Sequence, residues 1–406
     1  MGSPDRAKIL VLTSTFPRWP NDHIPSFVYE LCKRLAAELQ VFVLTPHAEG
    51  STRSEAWDGM MVERYPYHFG RRDYLAGQAI LPELRKNPLL WGLIPSFFVA
   101  QFYHCIRLLK ACDIDTVHAH WVLPQGFIAV ACKKLFKPDL KVVVTAHGAD
   151  VYGLQACKGL KRWTFERCTA VTAVSSAIRR EIIQRIGVSS SSPIHIIPMG
   201  VDLDRFSPAH YDHSLRQQFH ADGPLLLFVG RLTEKKGLAY LLRAMPRVLD
   251  RHPATKLMVI GYGEERSALE QLASELGLFE RAVIFLGGMT SAELPRYYAT
   301  ADIFVGPSII AQSGDREGFG LVFVEALGSG CPVITTDLPA MTDIVTHEKT
   351  GLIVPQKDSA ALADAIIRLL DDPDLLARMK SSCRNEVLAK FHWDVISKRY
   401  SELLSK

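Results

Sequence analysis

Residues 317–325 read EGFGLVFVE, and they follow a short apolar run, 303–305, closed by Pro307. Two carboxylates bracket a glycine-containing turn, after which Leu321, Val322, Phe323, Val324, Ala326 and Leu327 continue with helical character. The layout is strand, loop, helix. In an open α/β sheet, a loop that opens a helix after a strand is where ligands bind, and the free N–H groups of the first helical turn suit a phosphate. Gly318 and Gly320 let the backbone come close to such a ligand. A carboxylate set against a phosphate is repelled by it, so Glu317 suits neutral hydroxyls or a developing cation beside the phosphate. A sugar joined to a diphosphate has both parts. Taken singly, a Glu near a helix start is a dipole partner and one eight positions on lies on a solvated face. The surrounding segments therefore carry the reading.

The same alternation runs through the chain. Segments 9–13, 41–45, 116–119, 142–146 and 171–174 read as short buried strands, with helical patterns at 27–38 and 125–135. That is the mark of parallel βαβ units. The pattern then restarts, with strands at 225–229, 257–260, 283–286, 303–305 and 333–335 and helices at 238–249, 264–275, 291–298, 321–327 and 360–370. At 406 residues the chain exceeds one ordinary core. Two doubly wound α/β halves are expected, residues 1–205 and 206–385. Their join lies in 202–222, where Pro208, Asp212 and Ser214 break the periodicity, as does Gly223 just beyond. The closing stretch, 385–404, puts Phe391, Trp393, Ile396 and Tyr400 on one side and is expected as a terminal helix, with 386–406 docking back on the first half.

Composition narrows the class. Apolar residues at 48% and charged residues at 22% are ordinary for a soluble enzyme. A net charge of +4, from 47 basic and 43 acidic residues, excludes a dedicated nucleic-acid binder with a clustered basic surplus. The eight cysteines form no C-x-x-C pair, so neither a zinc site nor a redox motif is expected, and a reducing cytoplasm is. The apolar run 9–12 is too short for a signal-peptide core, and no uninterrupted apolar stretch matches a membrane span.

Residues 225–245, LLLFVGRLTEKKGLAYLLRAM, add cations to the picture. A buried strand ends at Val229, Gly230 permits a turn, and Arg231 and Lys236 stand five residues apart across the loop. They can converge on one diphosphate, Arg as a fork and Lys as a point charge. An ordinary solvated cluster with Glu234 and Lys235 is the plainer alternative, and placement just after the strand favours the phosphate role. Residues 259–272, VIGYGEERSALEQL, carry Gly261 and Gly263 but lack the third glycine of the dinucleotide fingerprint, so they mark a ligand-facing edge without naming a cofactor. The first half also lacks that fingerprint, which disfavours nicotinamide chemistry. In VVVTAHGADVYG, 142–153, His147, Gly148 and Asp150 follow a strand end expected to face an interdomain cleft. His118 and His120 lie at another strand end. The three histidines are divided between two separate strands without an acidic cluster, and no metal site is assigned. Segment 74–110 is rich in Leu, Phe and Trp with Arg85, Lys86, Arg107 and Lys110 interspersed, and Pro88 and Pro95 are expected to break any long helix in it. It reads as a core helix plus a lid, or as a helix touching lipid headgroups or a lipid-linked acceptor.

With these residues in hand the chain resembles, over nearly its whole length, the retaining glycosyltransferases of the GT-B fold in the large family four. The matching motifs are GR followed by KG (Arg231, Lys236), the paired Glu317 and Glu325, the HG-x-D segment (His147, Asp150) and the closing FHWDVISKRY, 391–400. The resemblance implies two Rossmann-like parallel-sheet domains facing a cleft, the first binding the acceptor and the second a nucleotide diphosphate sugar. It implies that Arg231 and Lys236 neutralise the departing diphosphate, and that the backbone of Gly318, Phe319, Gly320 and Leu321 holds phosphate and sugar. Glu317 would meet the sugar hydroxyls, Glu325 the ribose, and His147 the reacting sugar. Residues 285–288, ending at Gly288, would flank the base, with Gly230 and Gly263 also on the donor side. It further implies retention by front-face attack, no essential metal and no cofactor. One departure is the loop after strand one, TFPRWPNDHIPSF, 15–27, which has no glycine where many relatives carry a pair. Arg18, Asn21 and His23 in it, with Asp150, are the acceptor-side candidates.

Hexosyl transfer to an acceptor hydroxyl in cell-envelope polysaccharide or glycoconjugate assembly is thus the expected activity, in the cytoplasm or on the inner face of the membrane. The acceptor is a sugar, a lipid-linked group or a small molecule such as an antibiotic. The alternatives are a nucleotide-sugar epimerase of the same architecture and a non-catalytic nucleotide-sugar binder, against which the intact set of Arg231, Lys236, Glu317 and Glu325 speaks.

Overall fold

The computed structural model describes residues 6–20, 22, 24–68, 80, 84, 87–220 and 222–405. The chain forms two compact α/β units, one of Met1–Gly200 with Trp393–Lys406 and one of Val201–His392. The divisions fall at Gly200/Val201 and His392/Trp393, a few residues from the sequence boundaries at 205/206 and 385/386.

The first unit is built on β1 (Lys8–Leu12), β2 (Gln40–Pro46), β3 (Ser54–Trp57), β4 (Met60–Tyr65), β5 (Thr116–His120), β6 (Lys141–Ala146), β7 (Ala170–Ala173) and β8 (Ile194–Ile196). Their order is β3-β4-β2-β1-β5-β6-β7-β8, parallel except for β3 against β4. Strands such as β1 and β6 are buried almost throughout because helices cover both faces of such a sheet. The β3–β4 hairpin escaped sequence reading, although its Asp58-Gly59 turn, with φ of 46° and 78°, is a strong hairpin signal.

The second unit contains β9 (Leu225–Val229), β10 (Lys256–Ile260), β11 (Val283–Gly287), β12 (Ile303–Gly306), β13 (Val333–Thr336) and β14 (Gly351–Val354), ordered β11-β10-β9-β12-β13-β14 and all parallel. Leu226, Phe228, Val259, Ile303 and Ile334 lie in its core with Leu241, Met245 and Ile366 from the flanking helices. The strand order reverses between β9 and β12, and ligands gather at the carboxyl ends of strands at such a reversal. In the first unit the reversal lies between β1 and β5.

Two expectations are corrected. The terminal helix is two helices, Pro373–Phe391 and Trp393–Ser405, interrupted at His392, whose backbone is extended (φ −62°, ψ 138°). His392 bridges Val201, and the Val201 amide donates to Phe391 O at 2.8 Å, which holds the chain out of helical form there. Pro88 and Pro95 do not break the apolar segment. Pro88 opens the short turn Pro88–Leu93, and Pro95 sits in the first turn of Ile94–Ala111, where a missing N–H costs nothing. Pro88–Ala111 is consequently a 24-residue helical run containing an 18-residue window of mean hydropathy 1.4, long and apolar enough to cross a membrane by length and composition, and 22% of that window is buried.

Candidate active site

The reversal point of the second sheet collects the predicted residues. Gly230–Gly237 follows β9 and 307–320 follows β12, and the loops are stitched together. Ile309 N–H donates to Lys235 O at 2.8 Å and Gln312 N–H to Glu234 Oε1 at 2.9 Å. Lys235 also pairs with Asp315 at 3.2 Å. This stitching brings Lys236 Nζ to 3.2 Å from Glu317 Oε1, with Lys235 Nζ at 4.0 Å from the same oxygen. The Lys236 stem lies over Gly230, where an added Cβ would stand 3.3 Å from Cε. Arg231 is exposed beside them, and its charge acts on Glu317. Burial opposes ionisation of Glu317, but Lys236, Lys235 and Arg231 outweigh it and hold the carboxyl below its ordinary value.

Gly320 caps the helix Leu321–Gly328 with φ 89°, a left-handed conformation in which a Cβ would stand 2.7 Å from Phe323. Phe319 is buried against Phe391, with ring centroids 5.9 Å apart, so the turn is anchored by its aromatic while half-buried Gly318 and Leu321 flank it. Glu325 accepts a hydrogen bond from the Tyr298 hydroxyl at 3.0 Å. Burial pushes its carboxyl up to about 7, against the Tyr298 hydrogen bond and the charges of Arg205 and Lys236. Gly263 is required by packing, since a Cβ there would stand 2.1 Å from Leu232 O, whereas Gly288 is exposed beside the Tyr262 ring.

In the first unit His147, at the end of β6, places Nε2 at 3.0 Å from His120 Nδ1. Its ring stands 4.9 Å from Trp121 and 5.2 Å from Phe27 by centroids. Burial holds the His118 and His147 imidazoles down to about 3, and pushes His120 well below its usual value with help from its two neighbours, so the cluster is neutral. Among the described residues no group of three or more His, Cys, Asp or Glu is placed to hold a metal ion. Asp150, an acceptor-side candidate, is bound to backbone amides. Its Oδ1 accepts from the His147 and Gly148 amides at 3.1 and 2.9 Å, and its Oδ2 from Val122 at 2.9 Å. It holds the loop that carries His147. Arg18 makes a two-pronged pair with Asp22 at 2.8 Å for each bond and stacks on Trp19 at 4.1 Å, so it stiffens its loop. Asn21 and His23 lie outside the described residues.

Sequence reasoning missed Tyr298, Lys235 and Arg205. Tyr298 and Arg205 come from segments remote in sequence and carry no motif. Lys235 enters the sequence reading only through the solvated-cluster alternative, and the structure places its Nζ 4.0 Å from Glu317 Oε1.

Three cations, Lys235, Lys236 and Arg231, thus gather around the Glu317 carboxylate at the reversal point of a parallel sheet, and comparison with known proteins shows the family. Residues 213–386 match the family described as Glycosyl transferases group 1, and residues 24–205 match Glycosyltransferase Family 4. The chain is 31% identical over 303 residues, 73% of its length and 77% of the relative's, to the GDP-mannose-dependent alpha-(1-6)-phosphatidylinositol monomannoside mannosyltransferase of Mycobacterium tuberculosis. It is 32% identical to an uncharacterized glycosyltransferase of Methanocaldococcus jannaschii, over 79% of this chain and 81% of that one. Among solved structures it is similar to sucrose-phosphate synthase from Thermosynechococcus elongatus, with TM-score 0.79, 25% identity and 98% of each chain covered. The fold is also that of Anabaena HepE, solved with UDP and glucose, with TM-score 0.74, 20% identity and coverage of 98% and 99%. The chain belongs to the group 1 glycosyl transferases of the GT-B fold. It is a nucleotide-sugar-dependent glycosyltransferase.

Proposed function

We propose that the protein moves a hexosyl group from a UDP- or GDP-sugar to an acceptor hydroxyl, with retention and without an essential metal, in the assembly of a cell-envelope glycoconjugate. The observation that carries this is the contact between Lys236 and Glu317, with Arg231 alongside, at the reversal point of the second sheet. As the glycosidic bond breaks, negative charge grows on the diphosphate, and preset cations stabilise it there. The sugar becomes oxocarbenium-like, and the ionised Glu317 holds its hydroxyls while opposing that positive charge. Glu325 accepts from the ribose hydroxyls. His147, held neutral, meets the reacting sugar as a hydrogen-bonding group. The acceptor attacks from the face the diphosphate leaves. The relatives named as GDP-mannose-dependent make GDP-mannose the first donor to try.

A lipid-linked acceptor suits the first unit. Leu89 is 87% exposed, and Trp91, Val99 and Tyr103 on the same helical run are exposed too. Lys110 lies over the exposed Phe136 ring at 5.7 Å, setting a cation beside apolar surface as an anionic lipid surface requires. This face would rest on the inner leaflet as a peripheral contact.

The test is incubation with GDP-mannose and UDP-hexoses together with envelope lipid acceptors, reading the anomeric proton of the product by NMR. A product with the donor's anomeric configuration supports the reading. An inverted product, or epimerised free sugar without transfer, overturns it.

A further inference from the structure

A buried polar column runs through the first unit. His118 Nε2 lies 2.7 Å from Thr145 Oγ1, which lies 2.6 Å from Thr172 Oγ1. Thr172 Oγ1 is 3.4 Å from the Tyr400 hydroxyl, and that hydroxyl is 3.4 Å from Ile197 O. The His120 ring stands against both other histidines, 4.3 Å from His118 and 5.2 Å from His147 by centroids. Two nitrogens of this cluster, His118 Nδ1 and His120 Nε2, are buried without a partner.

These two orphans decide where the protons sit. A buried N–H without an acceptor is rarer than an unfilled lone pair, so each orphan nitrogen is the bare one and each proton is on the other nitrogen. His118 Nε2–H then donates to Thr145, Thr145 to Thr172, Thr172 to Tyr400 and Tyr400 to the Ile197 carbonyl. Every hydroxyl in the column donates once and the chain ends on an oxygen that only accepts. His120 in turn carries its proton on Nδ1 and donates it to His147 Nε2 across 3.0 Å. The His147 lone pair is thereby used, and its own proton belongs on Nδ1.

We propose that His120 is a positioning residue that fixes His147 as the neutral Nδ1–H tautomer, so that His147 presents a hydrogen-bond donor to an oxygen of the reacting sugar or its phosphate. His147 therefore does not serve as a general base. This rests on the reading of His147 as the group at the reacting sugar. The ring is clamped for that task between Trp121, Phe27 and His120, while Asp150 holds its backbone amide.

Two variants and one spectroscopic measurement test it. His120→Phe keeps a ring and removes the donor, whereas His120→Asn returns an N–H near the place of Nδ1. His120→Phe is expected to lower kcat roughly 10- to 100-fold, as loss of a group that orients a reactive imidazole does, with donor KM nearly unchanged. His120→Asn should recover most of that loss. A phenylalanine variant with wild-type kcat, or an asparagine variant as slow as phenylalanine, overturns the proposal. Ring-nitrogen NMR of histidine-labelled protein should show His147 protonated on Nδ1 in the wild type, and an Nε2–H signal there overturns the proposal outright. The NMR result needs no substrate, so it stands if the transfer reaction itself proves wrong. It also decides the matter if His120→Phe fails to fold.

Discussion

Lys236 Nζ stands 3.2 Å from Glu317 Oε1, although one residue follows β9 and the other follows β12. The contact exists because β9 and β12 are neighbours at the point where the strand order reverses, and because the second loop donates the Ile309 amide to Lys235 O and the Gln312 amide to the Glu234 carboxylate of the first. Both side chains are largely buried, at 13% and 11% exposure. Lys236 thus has a charge partner on one side, and its remaining N–H groups are left for a second anion.

Removing Lys236 should cost both stability and rate. Lys236→Ala removes the nearest partner of a mostly buried carboxylate and leaves it to Lys235 at 4.0 Å and Arg231, which costs about 2 kcal/mol in denaturant melts once residual solvent screening is allowed for. Its kcat should fall roughly 100-fold, the usual effect of deleting one preset charge donor. Arg231 is exposed, so Arg231→Ala should slow turnover while leaving stability within about 0.5 kcal/mol. Wild-type rates in both variants would remove the leaving-group role.

The two glutamates should respond oppositely to pH. Burial raises Glu325 to about 7, so the folded protein binds that proton more tightly than the unfolded chain. Its stabilising share is complete below the ordinary carboxylate pKa and is lost as pH rises to and through about 7, amounting to about 3 kcal/mol over the window. Glu317 is shifted down, so its share is present above the ordinary carboxylate pKa and is lost as pH falls through the depressed value. Urea melts from about pH 2 to 8 should show Glu325→Gln flattening the neutral side and Glu317→Gln altering the slope below the ordinary carboxylate pKa. Unchanged slopes in both would contradict the assignment.

Gly320→Ala should disturb the donor loop. At φ 89° an added Cβ meets Phe323 at 2.7 Å and Met341 at 2.9 Å. The strain should cost roughly 1–3 kcal/mol, seen as a lower Tm, and should weaken nucleotide-sugar binding. A variant with unchanged Tm and affinity would show that the loop does not need this geometry.

Sedimentation with vesicles checks the lipid-facing surface. The wild type should bind phosphatidylglycerol-containing vesicles, less so at high salt, and phosphatidylcholine vesicles weakly. A Trp91→Ser, Val99→Ser double variant should lose most of that binding. Equal binding by both proteins would contradict the assigned face.

Much of this was legible in the sequence for physical reasons. Short buried parallel strands leave uninterrupted apolar runs, so the strand at 225–229 was placed to the residue. Arg231, Lys236 and Glu317 were found because strand ends and glycine turns mark the ligand edge of such a sheet. What escaped depends on tertiary contact. Tyr298 meets Glu325 only because the helix Leu294–Thr300 packs near the helix Leu321–Gly328. That Asp150 also accepts from three backbone amides, of Val122, His147 and Gly148, depends on the fold bringing 122 and 147–148 together. The break at His392 has no proline or glycine behind it, and is set by the Val201 bridge.

The central claim is that the second unit grips a diphosphate through Arg231 and Lys236, and calorimetric titration tests it most directly. GMP, GDP and GDP-mannose, with the matching UMP, UDP and UDP-glucose, are titrated into wild type, Arg231→Ala and Lys236→Ala. One base series should bind, its diphosphate more tightly than its monophosphate by roughly tenfold or more, equal to about 1.4 kcal/mol, and that gap should close in both variants. Equal binding of mono- and diphosphate by the wild type, or an undiminished gap in both variants, would contradict the account.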